Sequence, residues 1–492
     1  MTTYRNFING KWIESSSERT VANINPANTD DVVGAVRQAT REEAKAAVEA
    51  AAEAFRSWRA TPAPARGKIV ARAARLMDEH KEELAQILTR EEGKTIGESR
   101  GELQRSINVA EFCAGESRRL TGETIPSELP LNFAYTIKQP LGVVACVTPW
   151  NFPVAIPVWK IAPALVAGNT VVFKPATLTP ATGVHIVELF EEAGVPPGVL
   201  NLIIGSGSDA GDEIINHPAV KAISFTGSNP VGIRLYEQAS RRGAKVQCEM
   251  GGKNPVVIME DADMDLAVES TAQGAFGSSG QRCTATSRAV VVNQIADEFV
   301  ERIAKRAESM RLGDGADPKT EMGPSVDENQ FKTVLRYIDI GREDGATLVC
   351  GGSRATGDGL DKGYFVRPTV FDHVTSDMRL AREEIFGPVL SVLRVKDFDE
   401  AMEVANDCEH GLSSAIFTND AARIFRFVDE IETGMTHINS PTTGGEAHIP
   451  FGGTKGTGIG DREQGSTALD FYTELKVVYV DYTGRKREGN LY

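Results

Sequence analysis

The sequence predicts an α/β fold of two parallel sheets with a small β segment outside both. Three observations carry this. From Gly142 onward, short apolar runs alternate with helix-length segments, a rhythm that closes into a parallel sheet with right-handed crossovers. A second such series starts after Glu249 and runs to about Asp461. Two strand-like stretches, 133–138 and 473–480, belong to neither series. The chain has 492 residues, too many for one ordinary core and suited to two or three domains.

Taken in order, residues 7–13 read as a hairpin, with Asn9-Gly10 supplying the positive φ angles of a tight turn. Thr40 and Glu43 fit a capping box, and Val48, Ala51, Ala52 and Phe55 follow at helical spacing. A second helix is expected over 69–92, with Leu76, Met77, Leu84, Ile87 and Leu88 inward. Buried strands are expected at 143–147, 170–173, 199–204 and 222–225, with a crossover helix at 182–193. The second series carries strands at 255–259 and 289–292 and helices at 297–310 and 399–406. Outlying strands often complete the sheet of another subunit, so a homodimer or homotetramer is expected.

Hydrophobic residues make up 41% and charged residues 25%, which excludes a disordered or fibrous chain. A net charge of −15 argues against nucleic acid and anionic membrane surfaces as partners. No uninterrupted apolar run approaches the roughly 20 residues of a membrane span, and the N-terminus lacks a signal pattern. The six cysteines are widely spaced and lack histidines at zinc spacing. That pattern points away from disulfides and metal and toward a reducing compartment, the cytoplasm.

One cysteine stands apart. Cys283 lies in Gly280-Gln281-Arg282-Cys283-Thr284-Ala285-Thr286, a slim, hydroxyl-rich setting suited to a thiolate, which would need a cation nearby. Glu249, in Glu249-Met250-Gly251-Gly252-Lys253, offers a base beside glycines that leave room for it to move. Asn151, in Pro149-Trp150-Asn151-Phe152-Pro153, offers an amide donor or a helix cap. Three strand ends carry nucleotide-loop features: Gly205 to Gly211, with Gly207 between; Phe225-Thr226-Gly227-Ser228; and Lys174-Pro175-Ala176. The first lacks G-x-G-x-x-G spacing, but together the three suggest a dinucleotide crevice at the carboxyl ends of parallel strands.

These motifs, with Glu383-Glu384-Ile385-Phe386-Gly387-Pro388 and Pro450-Phe451-Gly452-Gly453, resemble the hydrolytic, non-acylating branch of the NAD(P)-dependent aldehyde dehydrogenase superfamily over essentially the whole chain. The resemblance implies a Rossmann-type cofactor domain (1–118 and 139–251), an α/β catalytic domain (252–469) and a β oligomerisation segment (119–138 and 470–492). It implies that Cys283 attacks an aldehyde and that Asn151 and the Cys283 N–H hold the oxyanion. Hydride then passes to the nicotinamide, and Glu249 activates water against the thioester. It also implies cofactor contacts from Trp150, Lys174, Thr177, Gly207, Gly211, Phe225, Thr226, Gly227, Ser228, Glu384 and Phe386. Glu384 has an equally acidic neighbour in Glu383, so its assignment rests on the motif. Arg462, Glu463 and Glu474 match positions that are structural in the family and are left out of the site.

Thr177 departs from the pattern. Many NAD-preferring relatives carry a glutamate there, which binds the ribose hydroxyls. A short neutral side chain removes the repulsion that a 2′-phosphate would meet, and Lys174 is free to pair with it. NADP is therefore expected to be accepted beside NAD, and even preferred. Phe152, Trp159, Arg282, Thr284 and Phe451 fall where relatives line the substrate tunnel. Arg282 either pairs with an acid group on the aldehyde or sits in a salt bridge. The polar loop 439–448 and the Arg-Cys-Thr-Ala-Thr run resemble α-ketoglutarate semialdehyde (2,5-dioxovalerate) dehydrogenases. Succinate semialdehyde and broad-specificity aldehyde dehydrogenases are the rivals. A non-catalytic family fold predicts loss of Asn151, Glu249 or Cys283, and all three are present.

Overall fold

The computed structural model describes residues 2–487. The last five residues of the segment expected over 470–492 lie outside the described residues.

Five parallel strands form the centre of the first sheet, in the order Lys245–Glu249, Val220–Thr226, Val143–Val147, Thr170–Lys174 and Leu200–Leu202. Val143–Val147 and Thr170–Lys174, at the middle, are largely apolar, β-branched runs, as burial on both sheet faces requires. The helices Ala155–Ala167, Pro180–Glu192 and Asn229–Ser240 make the crossovers. Strand order reverses between Val143–Val147 and Val220–Thr226, so a crevice opens beyond their carboxyl ends. Antiparallel strands close both edges. On one side is the hairpin Asn6–Ile8 and Lys11–Ile13, turned at Asn9 (φ 51°) and Gly10 (φ 75°). On the other, Gly458–Ile459 returns from far along the chain to pair with Cys248 and Glu249.

The second sheet has seven strands, in the order Thr347–Cys350, Thr369–Asp372, Val389–Val395, Thr286–Val292, Asn254–Ile258, Ser413–Phe417 and Met435–Ile438. All are parallel but the first. The helices Met264–Phe276, Asn293–Ser309 and Phe398–Asn406 cover it. The two outlying strands pair with each other within the chain. Thr473–Asp481 lies antiparallel to Asn132–Pro140, which also pairs with Thr124–Ile125. Leu475, Val477 and Tyr479 on that edge strand are exposed.

Three differences from the sequence reading bear on the site and its core. The helix expected over 69–92 is two helices, Ala63–Glu79 and Lys81–Glu92, broken at His80 (φ −99°, ψ 12°). The bend lets Leu84 and Leu88 reach the same core as Leu76 and Met77. Residues 207–211 form a wide helical turn running into Asp212–Asn216 rather than an open loop, because the Ser206 hydroxyl caps the Asp209 N–H at 3.1 Å. The third difference is a helix the sequence reading passes over, Ile96–Glu116. Its capping box, Thr95 with Glu98, was present in the sequence as Thr95-Ile96-Gly97-Glu98. Among the described residues no helix is long and apolar enough to cross a membrane.

Candidate functional site

A cleft runs along the carboxyl ends of the first sheet. Its outer part, about 400 Å³, is lined by Lys174, Thr177, Gly207, Gly211, Phe225 and Arg234, among others. Its inner part, about 290 Å³, holds Asn151, Cys283, Glu384 and Phe386. Trp150, Thr226, Gly227 and Ser228 line both, so the two are continuous. Every residue expected at a cofactor therefore lies along one groove.

The outer groove suits a dinucleotide. Among the described residues the buried Lys174 ammonium touches only the Pro175 carbonyl, at 3.3 Å, and has no carboxylate partner. Burial lowers its pKa to about 8. The buried Thr148 and Thr226 hydroxyls have no hydrogen-bond partner. Ser228 precedes the helix Asn229–Ser240 without capping it, which leaves that helix N-terminus open to an anion.

At the inner end, Phe386 has φ 57° and meets Trp150 edge-on with ring centroids 5.4 Å apart. Of the two adjacent glutamates, Glu383 is taken up by Tyr337 (2.6 Å) and Arg379 (2.9 Å). Glu384 is the one that faces the cleft, accepting from the Gly252 N–H at 3.0 Å. Burial raises its pKa to about 7. The space beside Gly251 belongs to Glu384, since a Cβ there would fall 2.2 Å from a carboxylate oxygen. The room expected for Glu249 comes instead from Gly452 (φ +150°), where a Cβ would meet Glu249 Oε1 at 2.4 Å.

Glu249 ends the strand Lys245–Glu249, and its Oε2 has no protein partner. Burial and the nearby Glu463 carboxylate raise its pKa well above the usual carboxylate value; Lys160 and Arg462 act in the opposite direction. Glu463 is itself ion-paired with the fully buried Lys160. Arg462 and Glu463, left out of the site on sequence grounds, thus set the charge around Glu249. Glu474 lies on the remote edge strand.

Cys283 follows a strained turn. Ser278 and Ser279 adopt left-handed conformations (φ 49° and 55°) and Gly280 continues them (φ 67°), a concentration of strain typical of functional sites. A Cβ on Gly280 would lie 2.2 Å from the Gly387 carbonyl. Gly280→Ala is therefore expected to destabilise the protein by about 2 kcal/mol or more, read as a lower urea midpoint. The turn is tied down by Glu98, which accepts from the Ser278 N–H at 2.6 Å and from Arg282 at 3.1 Å. Arg282 thus occupies the salt bridge, the second of the two readings open to it.

The expectation of a cation that favours the thiolate needs correction. Burial, then the carboxylates Glu384 and Glu249, push the Cys283 thiol up to about 12, against the Thr284 N–H. The cation nearest in sequence, Arg282, is neutralised by Glu98.

Asn151 is buried, and its Nδ2 donates to the Gln281 carbonyl at 3.0 Å, across the turn that carries Cys283. It caps no helix; the helix Ala155–Ala167 starts after Val154. The caps expected of Asn151 come instead from Glu102, whose Oε1 accepts from the Val154 and Ala155 N–H groups at 2.9 and 3.0 Å. Lys94, also buried, bridges Glu102 and the Asn151 carbonyl, each at 2.6 Å. Neither residue was singled out in the sequence.

Phe152 lies under Lys94, 4.1 Å from ring centroid to Nζ. Trp159 and Phe451 stack with centroids 5.5 Å apart. Thr284 is buried, and its carbonyl accepts from Thr442 at 2.7 Å, which draws the 439–448 loop over the thiol's turn. Among the described residues no cluster of three or more His, Cys, Asp or Glu side chains is arranged for a metal.

A profile described as "Aldehyde dehydrogenase family" matches residues 12–478. An alpha-ketoglutaric semialdehyde dehydrogenase of Bacillus subtilis is 46% identical over 478 residues, covering 97% of this chain and 98% of that protein. An alpha-ketoglutarate semialdehyde dehydrogenase of Haloferax volcanii is 47% identical over 479 residues, covering 97% and 99%. Among solved structures, betaine aldehyde dehydrogenase of Staphylococcus aureus in complex with NAD+ superposes with a TM-score of 0.96 at 38% identity, covering 98% of this chain and 95% of that one.

Proposed function

Since the chain belongs to the aldehyde dehydrogenase family and is an NAD(P)-dependent oxidoreductase, we propose that Cys283, Asn151 and Glu249 carry the oxidation of a short carboxylated semialdehyde, such as α-ketoglutarate semialdehyde. The observation that carries this is the meeting of Cys283, Asn151 and Glu384 in one cavity continuous with the outer groove. Glu249 is near enough to perturb the thiol. The names of the two semialdehyde relatives support the substrate class.

In this reading the Cys283 thiol gives its proton to solvent water, its sulfur bonds to the aldehyde carbon, and the C=O π pair moves onto the oxygen. The carbonyl oxygen becomes an oxyanion held by Asn151 Nδ2, which gives up its bond to the Gln281 carbonyl, and by the Cys283 N–H. The groove lined by Lys174, Thr177, Phe225 and Phe386 would hold NAD(P), which would supply the hydride acceptor for the oxidation. The thioester left on Cys283 is then open to water. Glu249 accepts a proton from that water through its unpartnered Oε2, the new C–O bond forms, and the Cys283 sulfur departs. Glu384 and Phe386 hold the inner end of the groove in shape.

Glu249 works as a base only once ionised, and burial beside Glu463 moves that ionisation well above the usual carboxylate range. Turnover limited by thioester hydrolysis therefore increases with pH above the range in which an ordinary carboxylate ionises.

The decisive assay is reduced-cofactor absorbance for carboxylated and neutral aldehydes with each cofactor. No signal from any aldehyde that depends on Cys283 would overturn the reading.

Lys174 without a carboxylate partner, Thr177 in place of an acid, and Arg234 on the same groove wall support acceptance of NADP beside NAD, with NADP preferred. Thr177→Glu is expected to cut kcat/KM for NADP by about 30-fold or more, through like-charge repulsion, and to spare NAD. Because Lys174 is cationic only below about pH 8 in the free protein, kcat/KM for NADP should fall above that pH more steeply than for NAD. Parallel profiles, or at least a hundredfold preference for NAD, would rule the cofactor reading out.

The exposed apolar edge strand Thr473–Asp481 supports a homo-oligomer, a dimer or tetramer. Sedimentation of the wild type against Leu475→Asp tests this.

A further inference from the structure

Three buried side-chain donors near Trp159 and Phe451 have no acceptor among the described residues: Nε of Arg105, Nε1 of Trp159 and Nε2 of Gln464. They form one neighbourhood. The Arg105 guanidinium lies over the Trp159 ring, 5.6 Å from its centroid, and donates through Nη2 to Gln464 Oε1 at 2.9 Å. Nη1 donates to the carbonyl of Gly445, in the loop that covers the thiol's turn. Trp159 and Gln464 are 6% and 3% exposed, so solvent does little to satisfy them. An unpaired buried donor costs roughly 1–3 kcal/mol, and three together around a cation mark a receptor for an anion.

Arg105 is a cation stacked on Trp159. It makes no ion pair among the described residues. Arg282 is paired with Glu98, and Lys94 with Glu102. Glu98, Glu102 and Arg105 occupy positions i, i+4 and i+7 of the helix Ile96–Glu116, so one face carries all three toward the site. The first ties down the turn before Cys283, and the second caps the helix that bears Trp159. Arg105 and Cys283 are close enough for a charge on the sulfur to be felt at the guanidinium.

We propose that Arg105, with Trp159 Nε1 and Gln464 Nε2, is the receptor for the carboxylate at the far end of the semialdehyde. Arg105 takes the role that the sequence offered to Arg282. This rests on Cys283 as the reacting thiol, because the carboxylate must lie one short carbon chain away from the sulfur. Arg105 acts as a specificity residue. It touches the part of the substrate that does not react.

Succinate semialdehyde and butanal have the same chain length and differ in one carboxylate. Arg105→Met is expected to lower the ratio of their kcat/KM values by about 30-fold or more, chiefly through KM for the acid, and Arg105→Lys to restore part of it. Gln464→Glu, nearly isosteric, brings a negative charge to the receptor and should lower the same ratio without removing the arginine. Titration calorimetry of glutarate into Cys283→Ala protein reads the receptor without turnover. Binding should be present there and weakened at least about 30-fold when Arg105→Met is added. An unchanged ratio in both Arg105→Met and Gln464→Glu would overturn the proposal, as would glutarate binding indifferent to Arg105. Turnover surviving in Cys283→Ala would instead overturn the catalytic reading, and the glutarate titration would still report on Arg105.

Discussion

Cys283→Ala is expected to lower aldehyde oxidation by about 10⁴-fold or more, the scale on which loss of a covalent nucleophile acts. The substitution removes one sulfur from a turn held by other groups: Glu98 on Ser278 and Arg282, Asn254 on the Cys283 carbonyl at 2.8 Å, and Gly387 against Gly280. The fold and the outer groove should therefore survive. Cofactor binding, followed by fluorescence quenching of Trp150 in the groove wall, should change by no more than a few-fold. Retained activity would place the chemistry on another group. Lost activity with lost cofactor binding would show that the turn, rather than the thiol, had been disrupted. Because the resting thiol is held up to about 12, its alkylation by iodoacetamide should be slow at neutral pH and accelerate steeply with alkalinity.

Glu249→Gln is the second large effect. The amide keeps the shape beside Gly452 but cannot accept water's proton. Attack by Cys283 and hydride loss do not require that proton transfer, so about one equivalent of reduced cofactor per active site should appear in a burst. Steady-state turnover should then fall by about 10²–10⁴-fold, the usual worth of a positioned general base. The thioester should accumulate and be detectable by mass as acyl-enzyme. Unchanged steady-state turnover would remove Glu249 from the mechanism. Loss of the burst as well would mean that Glu249 acts earlier, on the thiol itself. Relief from a carboxylate that Glu463 already repels should leave the variant no less stable than the parent toward urea.

Much of this site was legible because it is written in short segments. Cys283, Asn151, Lys174 and the Phe225–Ser228 turn each sit where a strand or helix ends, and the residue types that serve an anion or a thiol there are few. The strands were legible for a related reason. A run such as Val143–Val147 is apolar at successive positions because both of its faces are covered. The break at His80 was not legible, since the apolar spacing of Leu76, Met77, Leu84 and Leu88 continues through it. Only the need of two helices to meet one core bends the chain there.

The chain alone pointed to the α/β class and the family and singled out Cys283, Glu249 and Asn151 as candidates, because each is a local pattern with a local physical reason. Tertiary structure decided the charges around them. Glu463 and Lys160 reach Glu249 from distant segments, and Glu98 captures Arg282 across 184 positions of sequence. Arg105 is left unpaired because the acids around it are already engaged. Electrostatics depends on distance through space, and neighbours brought together by packing leave no periodicity in the sequence to read.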